Sequence, residues 1–135
     1  MLTATDIAPR RLGGGRVLVV ETGEDSAACL TALLRMNGFD ARAARSGFEA
    51  MRELASLRPR AVILDLDLPD MNAHDVILRA RKQLKPAACA VIVVTAHADA
   101  EHRSEAMQAG ANTYLVKPAD PIALVKLLQD LCPPD

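Results

Sequence analysis

Polar residues with carboxylate, hydroxyl and amine groups stand where short apolar runs of the sequence end. Glu21 and Thr22 follow the first run, Asp65 ends the third, Thr95 the fourth and Lys117 the fifth. Carboxylate oxygens are ligands that hard cations such as Mg²⁺ prefer, whereas Lys and Thr can pair with phosphoryl oxygens. Gathered in one crevice, these residues would suit a divalent cation and a phosphoryl group.

The elements that carry these residues follow from hydrophobic periodicity. Short, nearly continuous apolar runs predict strands buried on both faces, and the run at 39–43, interrupted by Asp40 and Arg42, predicts an edge strand with one wetter face. Stretches with helical spacing separate the strands. The predicted order is strand 16–20, helix 24–36, strand 39–43, helix 47–57, strand 61–65, helix 73–84, strand 91–95, helix 99–109, strand 112–117 and helix 120–131.

Start and stop signals of helices agree with this order. Capping-box spacing predicts helix starts at Thr22 and Ser46, and a cap residue before proline predicts one at Asp120. Gly38 and Gly110 supply the left-handed residues with which helices commonly end. We therefore expect the Thr22 hydroxyl to cap the first helix.

Strict alternation of five strands with five helices predicts a doubly wound α/β fold. Its sheet is parallel, and helices joined by right-handed crossovers cover both faces. Ligands of such sheets bind at the carboxyl ends of the strands, which is where the polar residues stand. The topology therefore predicts that they converge.

Length and composition exclude several classes of function. The 135 residues suffice for one domain, with 50% hydrophobic residues, 24% charged residues and a net charge of −1. This charge balance argues against direct binding of nucleic acid or anionic membranes, and 2% aromatic residues are too few for base-stacking platforms. We expect an aliphatic core and a few polar groups to carry the function.

The termini and cysteines indicate a cytoplasmic protein. Residues 1–15 lack the order of a signal peptide and are predicted to form a flexible leader, followed by a domain at 16–131 and a tail at 132–135. Cys29, Cys89 and Cys132 have no metal-ligand spacing and are interpreted as reduced thiols. No apolar run is long enough to span a membrane.

The stretch 16–131 resembles the receiver domain of bacterial two-component response regulators. The segments that carry the resemblance are RVLVVE, VILDLDLPDMNAHDV, VIVVTAHAD and AGANTYLVKPAD. The resemblance implies a flavodoxin-like (βα)5 fold, with a five-stranded parallel sheet in the strand order 2-1-3-4-5. It also implies a function as an acceptor of phosphoryl groups from a histidine kinase or a phosphotransfer protein.

Site roles follow from the resemblance position by position. Asp65 matches the phosphoacceptor, Lys117 the lysine that contacts the phosphoryl group, and Thr95 the hydroxyl residue that moves toward the phosphorylated aspartate. Tyr114 matches the aromatic residue that switches with Thr95. The bond between Lys117 and Pro118 is often cis in this family.

Metal binding and dephosphorylation involve further positions. Glu21, Asp65 and the backbone carbonyl of Asp67 match the family's ligands for Mg²⁺, and the side chains of Asp67 and His97 match positions that tune the dephosphorylation rate. His74 and His102 stand near helix starts without a metal partner at useful spacing, and we interpret them as surface residues.

One departure from the family concerns the metal. The family usually has two acidic residues after the first strand, whereas this sequence has Glu21 followed by Thr22. The second acid is ordinarily a direct metal ligand, so its loss predicts weak Mg²⁺ binding or none.

Three functions remain open at this point. The first is a phosphoacceptor domain, which is not an enzyme apart from its own phosphotransfer and dephosphorylation. In this case the fourth helix, fifth strand and fifth helix would form a surface that binds a downstream protein, an output domain or a second copy of the chain. The second is a pseudo-receiver that binds partners without phosphorylation. The third, a flavodoxin-like enzyme or cofactor binder, is disfavoured because no phosphate-cradling loop follows any strand.

Overall fold

The computed structural model describes residues 15–84 and 88–132. Strands and helices alternate in the predicted order, and most ends lie within one residue of the prediction. The strands are β1 (Gly15–Val20), β2 (Phe39–Ala44), β3 (Ala61–Leu64), β4 (Ala90–Thr95) and β5 (Thr113–Val116). The helices are α1 (Glu24–Met36), α2 (Gly47–Leu57), α3 (Ala73–Gln83), α4 (Ala100–Ala109) and α5 (Pro121–Leu131).

The five strands form one parallel sheet in the order β2-β1-β3-β4-β5, which confirms the predicted topology. The central register pairs Val20 with Leu64 and Leu64 with Val93, so the carboxyl ends of β1, β3 and β4 lie side by side. β2 is an edge strand whose Asp40 and Arg42 are exposed, as their alternation with apolar residues predicted.

Each face of the sheet has its own hydrophobic core, because successive strand residues point to opposite faces. Leu18 and Val20 of β1 pack in one cluster with residues of α2, α3 and α4, whereas Val17 and Val19 pack in the other with residues of α1 and α5. Cys132, which the sequence places in the tail, is buried in this second cluster. Helices therefore cover both faces, as expected.

The predicted capping role of Thr22 is wrong. The N-cap of α1 is Gly23, which has no side chain to offer, and the Thr22 hydroxyl instead donates a hydrogen bond to the Asp67 carbonyl, 3.2 Å away. A contact distant in sequence has replaced the local one that the spacing suggested. The caps at Ser46 and Asp120 are confirmed, since their side chains accept hydrogen bonds from the amides of Glu49 and Ile122.

The loop after β3 is fastened to the start of α2. The Asp70 carboxylate accepts hydrogen bonds from the amides of Gly47 and Phe48, at 2.8 and 2.9 Å. Met71 packs so closely over Gly47 that a Cβ atom at that position would collide with its side chain. A side chain at position 47 would therefore force Met71 to move from its place over the start of α2.

The opposite end of the sheet is held by Arg81 of α3. Its guanidinium donates to the carbonyls of Gly110 and Cys89 and to the Asn112 side chain. Gly38 and Gly110 end α1 and α4 with positive φ angles, as predicted. None of the helices within the described residues is long and apolar enough to cross a membrane.

Candidate functional site

Main-chain hydrogen bonds bring the predicted site residues to one edge of the sheet. The Asp65 amide donates to the Val20 carbonyl, and the Lys117 amide donates to the Thr95 carbonyl. The pairing of β1 with β3, and of β4 with β5, thus continues just beyond the strand ends. The crevice at this edge is a direct product of the parallel register.

Lys117 lies between two carboxylates. Its Nζ atom is 2.7 Å from Glu21 Oε1 and 2.6 Å from Asp65 Oδ2. The Glu21 and Asp65 side chains are 14% and 11% exposed, and that of Lys117 is 34% exposed. Burial alone would lower the pKa of Lys117, but its hydrogen bonds to Asp65 and Glu21 outweigh that effect and raise the pKa.

All four carboxylate oxygens of Glu21 and Asp65 already accept hydrogen bonds from the protein. Besides the two oxygens bonded to Lys117, Asp65 Oδ1 accepts from the Asp67 amide at 3.0 Å, and Glu21 Oε2 accepts from the Gly23 amide at 3.2 Å. The two carboxylates are therefore held in fixed orientations. Because only one cation faces two anions, the group as a whole retains negative charge.

Thr22, the residue after Glu21, connects the crevice to two other loops. Its hydroxyl donates to the Asp67 carbonyl, the group that by resemblance would ligate the metal. Its own carbonyl accepts from Arg45 Nε at 2.8 Å. Arg45 was not predicted from the sequence, in which its only signal is a basic residue directly after β2.

The donor set fits Mg²⁺, although its atoms are already engaged. Two carboxylates and one main-chain carbonyl, from Glu21, Asp65 and Asp67, are oxygen donors of the type that Mg²⁺ prefers. A cation there would have to share or displace the Lys117 ammonium and the Thr22 hydroxyl. These contacts would compete with a bound cation.

The predicted switch residues are connected through His97. Thr95 is fully buried, and its hydroxyl oxygen lies 3.4 Å from the His97 amide that donates to it. The buried Tyr114 hydroxyl donates to the His97 carbonyl at 2.7 Å, and burial raises the pKa of this phenol. His97 Nε2 lies 2.8 Å from Asp67 Oδ1. His97 thus contacts Thr95 and Tyr114, the predicted switch residues. It also contacts Asp67, the other residue predicted to tune dephosphorylation.

His102 is a partly exposed surface residue, but the structure places two potential metal ligands beside it that its sequence spacing did not indicate. The rings of His97 and His102 stack with centroids 4.2 Å apart, and Asp99 lies beside them, so potential ligand atoms of all three residues fall within 4.8 Å of one another. This proximity is not apparent from the sequence, because His97 lies in the loop before α4 and the rings meet only when that loop folds onto the helix start. His74 contacts Asn72 and Glu105 instead.

A cavity of about 750 Å³ adjoins the crevice between α1 and the start of α5. Its lining includes Asp65 and Lys117 as well as apolar side chains such as Leu30, Leu33 and Leu124. The bond between Lys117 and Pro118 is cis, as the resemblance implied. Ala119, a small residue, follows this bond and also lines the cavity.

The strand order and the crevice at the carboxyl ends define a receiver-type α/β domain. The family model described as the response regulator receiver domain matches residues 17–129, and the chain belongs to this family. Membership favours the two receiver hypotheses over a flavodoxin-like cofactor binder.

Individual relatives agree with this assignment. The chain is 34% identical over 122 residues to an uncharacterized 14.6 kDa protein of Leptolyngbya boryana, an alignment that covers 88% of this chain and 93% of that protein. It is 38% identical over 118 residues to the transcriptional regulatory protein PrrA of Mycobacterium leprae, covering 84% of this chain but only 49% of PrrA. The chain thus spans about half the length of that regulator.

A solved structure with the same fold is the receiver domain of the sensor histidine kinase PA1611 from Pseudomonas aeruginosa. It matches with a TM-score of 0.77 and 28% identity, over 88% of this chain and 98% of that one. In that crystal structure a magnesium ion is coordinated in the active-site cleft.

Proposed function

We propose that this receiver domain is a phosphoacceptor of a two-component phosphorelay, with Asp65 as the acceptor. The observation that carries the proposal is the position of Lys117 Nζ, 2.6 Å from Asp65 Oδ2. An ammonium held against the nucleophilic carboxylate is placed to pair with the oxygens of an incoming phosphoryl group. The donor would be the phosphohistidine of a histidine kinase or of a phosphotransfer protein.

The proposed step is an in-line displacement at phosphorus. An Asp65 carboxylate oxygen forms the new O–P bond while the N–P bond of the phosphohistidine breaks. The electron pair of that bond returns to the donor imidazole, which takes up a proton from solvent. The domain would thus catalyse its own phosphorylation, and dephosphorylation by water would regenerate Asp65, without being an enzyme toward other substrates.

Glu21, Asp65 and the Asp67 carbonyl would hold Mg²⁺ in this reaction. The chemistry that bound Mg²⁺ would supply is neutralisation of charge on the equatorial phosphoryl oxygens. Lys117 would exchange its hydrogen bond with Asp65 for one with the phosphoryl group. The magnesium in the PA1611 receiver supports this assignment of the metal.

The response would reach a partner through α4, β5 and α5. Thr95 and Tyr114 both contact His97, which leads into α4, so movement of Thr95 toward a phosphorylated Asp65 would alter these contacts. This face carries exposed apolar residues on all three elements: Met107, Val116 and Ile122. A downstream protein, an output domain or a second copy of the chain is proposed to bind there, in the cytoplasm and without direct contact to nucleic acid.

The test is phosphorylation by a small donor. Incubation with Mg²⁺ and acetyl phosphate should add one phosphoryl group, detected by intact mass, and Asp65→Asn should abolish the addition. Asp70→Asn, a carboxylate on the same loop outside the crevice, is the matched control and should still be phosphorylated. An unchanged mass of the wild-type protein, also with a panel of phosphorylated histidine kinases, would contradict the proposal.

The pseudo-receiver remains the second candidate because of one contact. The Thr22 hydroxyl engages the Asp67 carbonyl, so the crevice is internally satisfied without a cation. In that case partner binding should persist in Asp65→Ala and ignore Mg²⁺. Affinity that depends strongly on phosphorylation would refute this second candidate.

A further inference from the structure

We propose that His97, Asp99 and His102 form a second metal site, which takes a transition-metal dication of the zinc class. The three proposed ligands are distinct from the predicted Mg²⁺ ligands, although His97 contacts Asp67 beside the Asp65 crevice, and the proposal does not depend on phosphorylation. It lies where the loop after β4 enters α4. Two imidazoles and a carboxylate are ligands that suit Zn²⁺, Co²⁺, Ni²⁺ and Cu²⁺, whereas Mg²⁺ favours oxygen donors.

The three side chains already converge. One potential ligand atom from each lies within 4.8 Å of the others, and the imidazole rings stack with an interplanar angle of 12°. Bonds of about 2.0–2.2 Å to one ion place neighbouring ligand atoms roughly 3–4 Å apart, so the ligand atoms must approach one another before a single ion can bind all three residues.

Each imidazole is oriented by a carboxylate. His97 Nε2 lies 2.8 Å from Asp67 Oδ1, and His102 Nδ1 lies 2.7 Å from Asp99 Oδ2. A carboxylate that accepts a hydrogen bond from one ring nitrogen leaves the lone pair on the other, which is how metal-binding histidines are commonly oriented. His97 Nδ1 is therefore the nitrogen of that ring available to a metal. Because Asp99 is itself a proposed ligand, a metal bound by His102 and Asp99 together would take the place of the proton between His102 Nδ1 and the Asp99 carboxylate.

Side-chain freedom allows the remaining adjustment. Imidazole lone pairs lie in the ring plane, so two nearly parallel rings cannot both direct a lone pair at one ion until one of them rotates. The side chains of His97, His102 and Asp99 are 36%, 40% and 50% exposed, which leaves space for that rotation and for water as further ligands. Asp99 also caps α4 through its bond to the His102 amide, which fixes its position.

Metal bound here would fasten the loop after β4 to the first turn of α4. His97 belongs to the loop and also receives the Tyr114 hydroxyl on its carbonyl, whereas His102 belongs to the helix. A dication linking the two rings would restrain the segment between Thr95 and α4. Metal binding would therefore restrict the position of α4 relative to the loop after β4.

The experiment is calorimetric titration of the full chain with Zn²⁺ in excess Mg²⁺, with side-chain ¹⁵N spectra of the three histidines. We expect one zinc per chain, shifted imidazole signals for His97 and His102, and an unshifted signal for His74. His97→Asn and His102→Gln should each weaken zinc binding by at least about tenfold. Co²⁺ should give visible absorption bands that His102→Gln abolishes.

Three controls separate this site from others. His74→Asn removes the remaining histidine, Cys29→Ser removes the exposed thiol, and Asp65→Asn alters the phosphoacceptor crevice. All three should bind zinc as the wild type does, and circular dichroism checks that each variant is folded. Equal zinc affinity of the wild type and the double variant His97→Asn/His102→Gln would overturn the proposal, whereas loss of zinc binding in Asp65→Asn would assign the ion to the crevice instead.

Discussion

The Thr22 hydroxyl donates a hydrogen bond to the main-chain carbonyl of Asp67, 45 residues further along the chain. This bond connects the loop after β1 with the loop after β3 at the position where the family has a second acidic metal ligand. A neutral donor thus engages an oxygen that a cation would otherwise use. Because Lys117 bridges Glu21 and Asp65 beside it, the crevice is held together by protein groups alone.

Thr22→Asp should therefore tighten Mg²⁺ binding, because it adds a carboxylate ligand and removes the donor to the Asp67 carbonyl. We expect the dissociation constant from calorimetry to fall by at least about tenfold, which corresponds to about 1.4 kcal/mol. The increase should be moderate if the wild type already binds Mg²⁺ as a working phosphoacceptor, and sharp if it is a pseudo-receiver. Thr22→Ser keeps the hydroxyl and is the matched control, and equal affinity of Thr22→Asp and Thr22→Ser would contradict the prediction.

Removal of the ammonium in Lys117→Met should leave Glu21 and Asp65 facing each other without a counter-charge. Because Lys117 is about one-third exposed, solvent screening limits the expected loss in free energy of unfolding to about 1–2 kcal/mol. Mg²⁺ should recover part of that loss, since a cation can replace the ammonium. Urea unfolding with and without Mg²⁺ measures both effects, and Lys126→Met, at an exposed position on α5, is the control.

The sequence predicted the fold and most of the site because both depend on local patterns. Apolar runs predicted the strands. The alternation of strands with helices predicted that Glu21, Asp65 and Lys117 lie at one edge of the sheet. The contacts of Thr22 and Arg45 could not be predicted in this way, because each joins residues from separate loops whose side-chain directions depend on tertiary packing. The spacing predicted that Thr22 caps the helix that follows it, whereas in the structure its hydroxyl donates to the distant Asp67 carbonyl instead.

The proximity of His97 to His102 was missed for a related reason. The two histidines are five positions apart, a spacing that does not bring side chains together within a helix. The pair forms because the chain between them is part loop and part helix, with Asp99 at the junction as N-cap. Such a cluster becomes visible only when the direction in which the loop enters the helix is known.

Asp70 should contribute a pH-dependent increment of stability. Hydrogen bonds from the amides of Gly47 and Phe48 hold its pKa below the ordinary value of 3.8. A folded-state pKa lower than the unfolded one stabilises the protein above the unfolded pKa, and this contribution is lost as pH falls through the folded value.

Asp70→Asn should accordingly have a lower urea midpoint than the wild type near neutral pH, and the difference should shrink at pH values below 3.8. Asp40→Asn, on the exposed side of the edge strand β2, is the control for general charge effects. A difference between wild type and Asp70→Asn that stays constant as the pH is lowered would show that the carboxylate's charge does not contribute.

Tyr114→Phe should loosen the segment between β4 and α4 while the core stays intact. The substitution keeps the buried ring but removes the hydroxyl that donates to the His97 carbonyl at 2.7 Å. Loss of one such hydrogen bond costs about 1 kcal/mol, so we expect a stability decrease of that size in urea unfolding. Amide exchange should accelerate at residues 97–99, next to the lost bond, and stay unchanged in β1 and β3.

Because His97 also contacts Thr95 and Asp67, its amide signal should shift in NMR spectra. An unaltered His97 signal together with unaltered exchange would mean that the Tyr114 hydroxyl does not hold this loop, and the proposed route from Thr95 to α4 would then lack its second contact.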